Sequence, residues 1–263
     1  MRPVATMPQL LTPVISRSNL ANIRLVATDM DGTLTRAGQF NSELLPALAR
    51  LRETGIEVMI VTGRSAGWVS GLVNYLPIVG AIAENGGLYI SQQNPEATIL
   101  CDIPRMSAHR DRLATLFHKL STRYPHLKPA TDNAYRITDW TFDIDGLSEN
   151  DLAWMQKTCE DSKMGFTYSN VQCHLQILRQ NKAAGLARVL EQQFSQLLPT
   201  EIITVGDSPN DESLFNAEQF PYSVGVANVN HYLPRLAHQP AYLTQAAECE
   251  GFVELVDQLI AAR

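Results

Sequence analysis

Two hydrophobic rhythms alternate along the chain: short, almost wholly apolar runs, and longer stretches whose apolar residues recur every three or four positions. Ile23 to Thr28 is a run of the first kind, ending at Asp29, and it suits a parallel strand buried on both faces with polar groups at its carboxyl end. Glu57 to Thr62 is the next. Between them, Ser42 to Thr54 carries Leu44, Leu45, Leu48 and Leu51 at helical spacing, with Ser42 as the expected N-cap and Gly55 as the stop. These three segments predict a β-α-β unit. Ser65 to Leu76 predicts a helix, Val79 to Ala83 a third strand, and Ile202 to Val205 and Ser223 to Val226 two more. Lys182 to Phe194 predicts a helix whose Leu186, Val189, Leu190 and Phe194 pack back on the sheet. The sum is an α/β fold with a doubly wound parallel sheet, which binds ligands outside its strand carboxyl ends. Asp29, Thr62, Glu84 and Asp207 stand at those ends.

The rhythm breaks between residues 87 and 178. Thr141 to Asp145 and Gln172 to Leu178 alternate as strands, and His109 to Tyr124 and Glu149 to Ser162 are amphipathic helices. This predicts a separate α+β insert at 87–178, joined at Gly86-Gly87 and Arg179-Gln180. Residues 23–86 and 179–263 then form one domain around it. Residues 1–22 carry Pro3, Pro8 and Pro13 without a continuous apolar stretch, so a frayed N-terminal tail is expected there, with neither a secretory h-region nor a membrane span.

Composition narrows the class. With 45% hydrophobic and 18% charged residues among 263, the chain is neither disordered nor fibrous. A net charge of −6 without a Lys/Arg block argues against a nucleic-acid partner. Cys101, Cys159, Cys173 and Cys249 have no metal-ligand spacing, so reduced thiols and a cytoplasmic location are expected. The six histidines, His109, His118, His126, His174, His231 and His238, are given no metal. Trp68, Trp140, Trp154 and Met155 are expected in packing of the core or of the insert and not as stacking platforms.

Candidate chemistry collects at the strand ends. Asp29-Met30-Asp31-Gly32-Thr33 places two carboxylates on a tight turn. Thr62-Gly63-Arg64 offers a hydroxyl and helix-opening N–H groups to an anion. Gly206-Asp207-Ser208-Pro209-Asn210-Asp211 adds two acids, and Lys182 a cation to offset them. Each alone has a plain reading, a solvated Asp-Gly turn, a helix start or a surface lysine, but the set is more specific than its members. Several carboxylates with room for water and phosphate oxygens suit Mg²⁺.

The series D-x-D-G-T-L, T-G-R, an isolated Lys and G-D-S-x-N-D resembles the four motifs of haloacid dehalogenase superfamily phosphatases. The insert, with Glu84-Asn85-Gly86-Gly87, resembles the Cof-type branch, subfamily IIB. The resemblance implies a Rossmann-like core under a mobile α+β cap. It implies Asp29 as the nucleophile that becomes an aspartyl-phosphate, Asp31 as general acid and base, and Thr62 and Lys182 as phosphoryl holders. It further implies a metal held by Asp29, the Asp31 carbonyl, Asp207 and Asp211, and substrate contacts from Gly63, Arg64, Asn85 and Asn210. The implied activity is Mg²⁺-dependent hydrolysis of a small soluble phosphate monoester such as a sugar phosphate, by a monomer or weak homodimer. A phosphomutase of the same branch is the alternative within the family. A phospho-aspartate or sugar-phosphate-binding regulator is the alternative outside it, and Asp31 speaks against that one, because a long-lived phospho-aspartate gains nothing from an adjacent base. In the insert, alternation along Tyr135 to Asp139 sets Arg136 and Thr138 on one face. Arg136 is expected to meet the leaving group from there, with Lys128 and His174 as weaker candidates.

Overall fold

The computed structural model describes residues 8–12, 20–169 and 171–263, and the apolar runs appear in it as strands of two sheets. In chain order the elements are β1 (Gln9–Leu10), β2 (Leu25–Thr28), α1 (Leu44–Glu53), β3 (Glu57–Val61), α2 (Ala66–Tyr75), β4 (Gly80–Ala83), β5 (Leu88–Ile90) and β6 (Thr98–Ile99). Then come α3 (Met106–Arg123), β7 (Trp140–Asp143), α4 (Glu149–Asp161), β8 (Met164–Tyr168) and β9 (Gln172–Ile177). The chain closes with α5 (Lys182–Gln193), β10 (Ile202–Gly206), β11 (Tyr222–Gly225), β12 (Tyr242–Leu243) and α6 (Glu248–Ala261).

The larger sheet runs β1-β12-β11-β10-β2-β3-β4-β5-β6 and is parallel from β1 to β4. Its central strands alternate between two apolar layers. Val26 and Ile60 face α1, α2 and α6 with Leu48, Val69 and Phe252, whereas Leu25, Ala27, Met59 and Val61 face α5 with Leu186 and Val189. Successive crossovers from β2 go one way to β3 and β4, and from β10 the other way to β11 and β12. The order therefore reverses between β2 and β10, paired Thr28 to Val205, and ligands bind at such a point. The smaller sheet, β7-β9-β8, is antiparallel and packs on α3 and α4 through Leu113, Phe117, Phe142, Met155 and Leu175.

Three expectations are corrected. Gln9 and Leu10 pair with Tyr242 and Leu243, so part of the expected frayed tail adds an edge strand, with Leu11 buried beside it; residues 1–7 and 13–19 lie outside the described residues. The insert expected from residue 87 does not begin there. Leu88, Tyr89 and Ile90 are all buried, and β5 and β6 return antiparallel onto β4, so the core sheet reaches residue 99. Ser42 is not the N-cap of α1: that position is Glu43, without a side-chain cap bond, and Asn41 Oδ1 accepts from the N–H groups of Glu43 and Leu44 at 3.1 and 3.2 Å.

One close approach places a later element. Gly86, at φ +95°, lies directly under Gly185, where a Cβ would run into the Gly86 Cα. This lets the first turn of α5 sit on the turn that follows β4. None of the helices is long and apolar enough to cross a membrane, among the described residues. Cys101, Cys159, Cys173 and Cys249 are free thiols.

Candidate active site

Asp29 leaves the end of β2 with its N–H donating to the Val205 carbonyl at 2.9 Å, which sets its side chain beside those of Asp207 and Asp211. Asp207 follows β10, and Asp211 sits in the 3₁₀ turn Pro209–Phe215. That turn is pinned by the Asp211 carboxylate itself, whose Oδ2 accepts from the Asp207 and Ser208 N–H groups at 2.9 and 3.1 Å. Lys182, the first residue of α5, is wholly buried and donates from Nζ to Asp29 Oδ1 at 2.5 Å and Asp211 Oδ1 at 2.6 Å. Asp207 accepts from Thr33 Oγ1 at 3.1 Å and Asn228 Nδ2 at 2.8 Å.

One ammonium cannot balance three buried carboxylates. Burial pushes Asp29 up to about 7 despite the attraction of Lys182, with Asp211 and Asp31 adding to the rise. Burial, Asp29 and Asp211 also hold Asp207 well above the usual carboxylate range. For Lys182 burial opposes the charge, but Asp211 and Asp29 outweigh it and raise its pKa above the ordinary value. Asp29, Asp207 and Asp211 each offer one oxygen, and these oxygens lie within 4.8 Å of one another. An all-oxygen, charge-deficient set of this kind fits a hard divalent cation.

Asp31 is turned away from that trio. Arg64 grips it with both ends of the guanidinium, Nε to Oδ2 at 2.8 Å and Nη2 to Oδ1 at 2.6 Å. Arg64 also stacks 4.8 Å from the Trp68 ring centre. Trp68 is half exposed, so the expectation of core packing fails for it: its ring lies over a site residue instead. Thr62 is buried at the end of β3, with Oγ1 accepting from the Arg64 N–H at 3.1 Å. Asn85 belongs to a left-handed turn, Glu84 at φ +53° and Asn85 at +51°. Its Oδ1 accepts from Asn210 Nδ2 at 3.1 Å, while its own Nδ2 is buried without a protein partner. Strain of this kind clusters at functional sites.

Between the two sheets a small cleft is lined by Asp29, Asp31, Thr62, Gly63, Arg64, Ser208 and Asn210 from below, and by Ser169, Val171, Gln172 and His174 from above. Its free volume of about 20 Å³ is on the order of that needed by one water.

Arg136 is not placed as expected. Thr131–Tyr135 is a 3₁₀ turn and no strand follows it before β7, so the alternation argument fails. Arg136 is buried and ion-paired with Asp132 at 2.9 Å and Asp139 at 3.0 Å, and donates from Nη1 to the Gly63 carbonyl at 2.9 Å. It ties the smaller sheet to the Thr62–Arg64 loop and does not line the cleft. Glu84 makes the second tie. Its buried carboxylate accepts from the N–H groups of Ala66, Ile137, Thr138 and Asp139 and from Thr138 Oγ1. Burial, reinforced by Asp139, nevertheless raises its pKa. Lys128 is exposed and lines nothing in the cleft.

His174 and Gln172 reach the site where Arg136 does not. Along β9, Gln172, His174 and Gln176 share one face, and Cys173 and Leu175 point into the apolar core of the smaller unit. Three polar residues on one face of a buried strand are the sequence signal that marks them.

Comparison with known proteins agrees with this geometry. A family model described as haloacid dehalogenase-like hydrolase matches residues 26–110. A protein named phosphoglycolate phosphatase from Methanothrix thermoacetophila is 28% identical over 253 residues, covering 91% of this chain and 98% of that one. Among solved structures, a Thermoplasma acidophilum protein superposes with a TM-score of 0.74 at 20% identity, over 91% of this chain and 99% of that one. The C-terminal domain of trehalose-6-phosphate phosphatase from C. albicans gives 0.70 at 16% identity, over 97% and 98%.

Proposed function

We infer, for a chain that belongs to the haloacid dehalogenase superfamily of phosphatases, that it hydrolyses a small phosphate monoester through an aspartyl-phosphate on Asp29, with Mg²⁺ as the metal. The observation that carries this reading is Asp29 itself, buried at the sheet's switch point beside Lys182 and two further carboxylates, with Asp31 and Arg64 across the cleft. The activity named for trehalose-6-phosphate phosphatase among the similar proteins supports a phosphorylated alcohol of the sugar-phosphate kind as substrate, whereas phosphoglycolate phosphatase, also named among them, supports a small phosphate ester without favouring a polyol.

In this reading one Asp29 oxygen attacks phosphorus, the P–O bond to the leaving alcohol breaks, and Asp31 gives that oxygen a proton. Asp31 then takes a proton from the water that attacks the aspartyl-phosphate, releasing inorganic phosphate and restoring Asp29. Arg64 holds both Asp31 oxygens, so one of its contacts must loosen for the transfer. Thr62, Lys182 and the Gly63 and Arg64 N–H groups hold phosphoryl oxygens, and Asn85 and Asn210 brace that wall. Asp29, Asp207 and Asp211, with the Asp31 carbonyl, would hold Mg²⁺, whose charge screens phosphate from carboxylate and stabilises the transferring group. Residues 23–86 and 179–263, with the strands up to 99, serve as the catalytic core, and the following segment to 178 as the cap that excludes water.

Asp29→Ala, purified free of contaminating phosphatase, is expected to lose phosphate release on the order of a thousandfold or more while keeping its circular-dichroism spectrum. Substantial turnover by the folded variant would overturn the covalent assignment.

A further inference from the structure

The cleft's roof is chemically asymmetric. Asp139 is wholly buried and holds Arg136 through two contacts, at 3.0 and 3.1 Å, and His174 Nδ1 at 2.8 Å. Arg136 and His174 outweigh burial and keep this carboxylate ionised. An ionised carboxylate only accepts, so the ring proton of His174 sits on Nδ1. Burial opposes a second proton, as do Arg136 and Lys182, and the net shift of the imidazole is downward in spite of Asp139. Nε2 therefore keeps its lone pair.

His174 is one of the residues that roof the cleft. The Cε1–Nε2 edge of His174 lies against Gly63, where an added Cβ would come within 3.0 Å of Cε1 and 3.2 Å of Nε2. His174 is 2% exposed, yet Nε2 has no protein partner among the described residues, and the ring lines the cleft. Two residues along the same strand face, Gln172 accepts from Arg136 Nη2 at 3.1 Å through Oε1. Its amide nitrogen is left as a donor. The cations around the cleft are all committed: Lys182 to Asp29 and Asp211, Arg64 to Asp31, Arg136 to Asp132 and Asp139. No unpaired cation lines the cleft among the described residues.

We propose that His174, as an acceptor, and Gln172, as a donor, read a neutral hydroxyl on the leaving group, so that the site favours phosphate esters of small polyols over esters carrying a carboxylate beside the phosphate. A hydroxyl can donate to Nε2 and accept from the Gln172 amide. A carboxylate in its place meets a lone pair, and the guanidinium behind it, Arg136, is already closed between Asp132 and Asp139. The proposal rests on the phosphatase reading above.

The test compares three esters of nearly equal size, 2-hydroxyethyl phosphate, ethyl phosphate and phosphoglycolate, by kcat/KM with Mg²⁺. The wild type is expected to favour the hydroxyethyl ester over ethyl phosphate by about tenfold and to use phosphoglycolate least. In His174→Phe the hydroxyethyl-to-ethyl ratio is expected to fall to near unity; being a ratio, it is insensitive to any loss common to both substrates. A folded His174→Phe protein with an unchanged ratio, or a wild type that prefers phosphoglycolate, overturns the proposal. Absence of phosphate release from these three esters, from a sugar phosphate and from an aryl phosphate alike would instead sink the phosphatase reading. Nitrogen-15 NMR of the wild-type imidazole needs no variant: a proton on Nδ1 alone at neutral pH is expected, and a proton on Nε2 overturns the acceptor role.

Discussion

Arg136 shows how little residue type says about role until its neighbours are known. A guanidinium on a polar segment looks available to a substrate, but here it is closed between Asp132, Asp139 and the Gly63 carbonyl. Its removal would strand Asp139 as a buried charge, and breaking such a pair costs about 3–5 kcal/mol. Arg136→Ala is therefore expected to lose roughly that much stability in urea unfolding, and an unchanged urea midpoint would show that the pair with Asp139 is not a structural tie.

Among the elements, α5 carries the most chemistry for its length, because its first residue is Lys182. Helix propensity predicts that Gly185→Ala stabilises α5 by ~1 kcal/mol. The contact with Gly86 predicts the opposite, since a methyl there runs into the Gly86 backbone, which cannot give way as a flexible side chain would, and must push the helix away. Overpacking of this kind costs about 1–3 kcal/mol, and any shift of α5 moves Nζ off Asp29. Calorimetry is expected to show a lowered Tm together with a fall in kcat, and a raised Tm would refute the packing argument. Helix α4 gives a pH-dependent case. Bonds from the Ser148 hydroxyl and N–H, and from the Tyr124 hydroxyl, hold the Asp151 carboxyl down at about 2. A depressed carboxylate contributes stability above its unfolded value of about 3.9, and that contribution is lost as pH falls toward 2. The Tm gap between wild type and Asp151→Asn should therefore be widest above pH 5 and shrink steadily below pH 4. A gap that persists at pH 2 would show that charge is not its cause.

Over the whole molecule, a metal held by the acidic trio would couple its binding to folding. A cation bound at a hundred times its Kd stabilises the folded state by ~2.7 kcal/mol, and for chains of this size each kcal/mol moves Tm by about 2–4 °C. Mg²⁺ is expected to raise Tm by about 5–10 °C, with EDTA reversing it and Asp207→Asn blunting it. An unchanged Tm at millimolar Mg²⁺ would argue against a site at Asp29, Asp207 and Asp211. Ca²⁺, which takes roughly 6–8 oxygens in flexible geometry, should raise Tm as well yet fail to support turnover, because it can occupy both oxygens of Asp29. Comparable turnover with Ca²⁺ would contradict Asp29 as attacking group.

The sequence alone determined the central parallel strands and the polar residues that stand at their ends. Runs such as Ile23 to Thr28, apolar but for Arg24 and Thr28, suit a parallel sheet covered on both faces, and Asp29, Thr62 and Asp207 follow from where those runs stop. Period-two and period-3.6 patterns are local, and local patterns survive folding. What depended on contacts between distant segments was not legible. The pairing of Leu88–Ile90 with β4 needed the left-handed turn at Glu84 and Asn85. The strand at Gln9–Leu10 needed an edge supplied by Tyr242–Leu243. The placement of His174 on the cleft and of Arg136 behind it was fixed only when the 3₁₀ turn at Thr131–Tyr135 put Arg136 and Asp139 together and left the imidazole edge over Gly63. Burial decides whether a polar side chain is a tie or a ligand, and burial is a property of the tertiary structure.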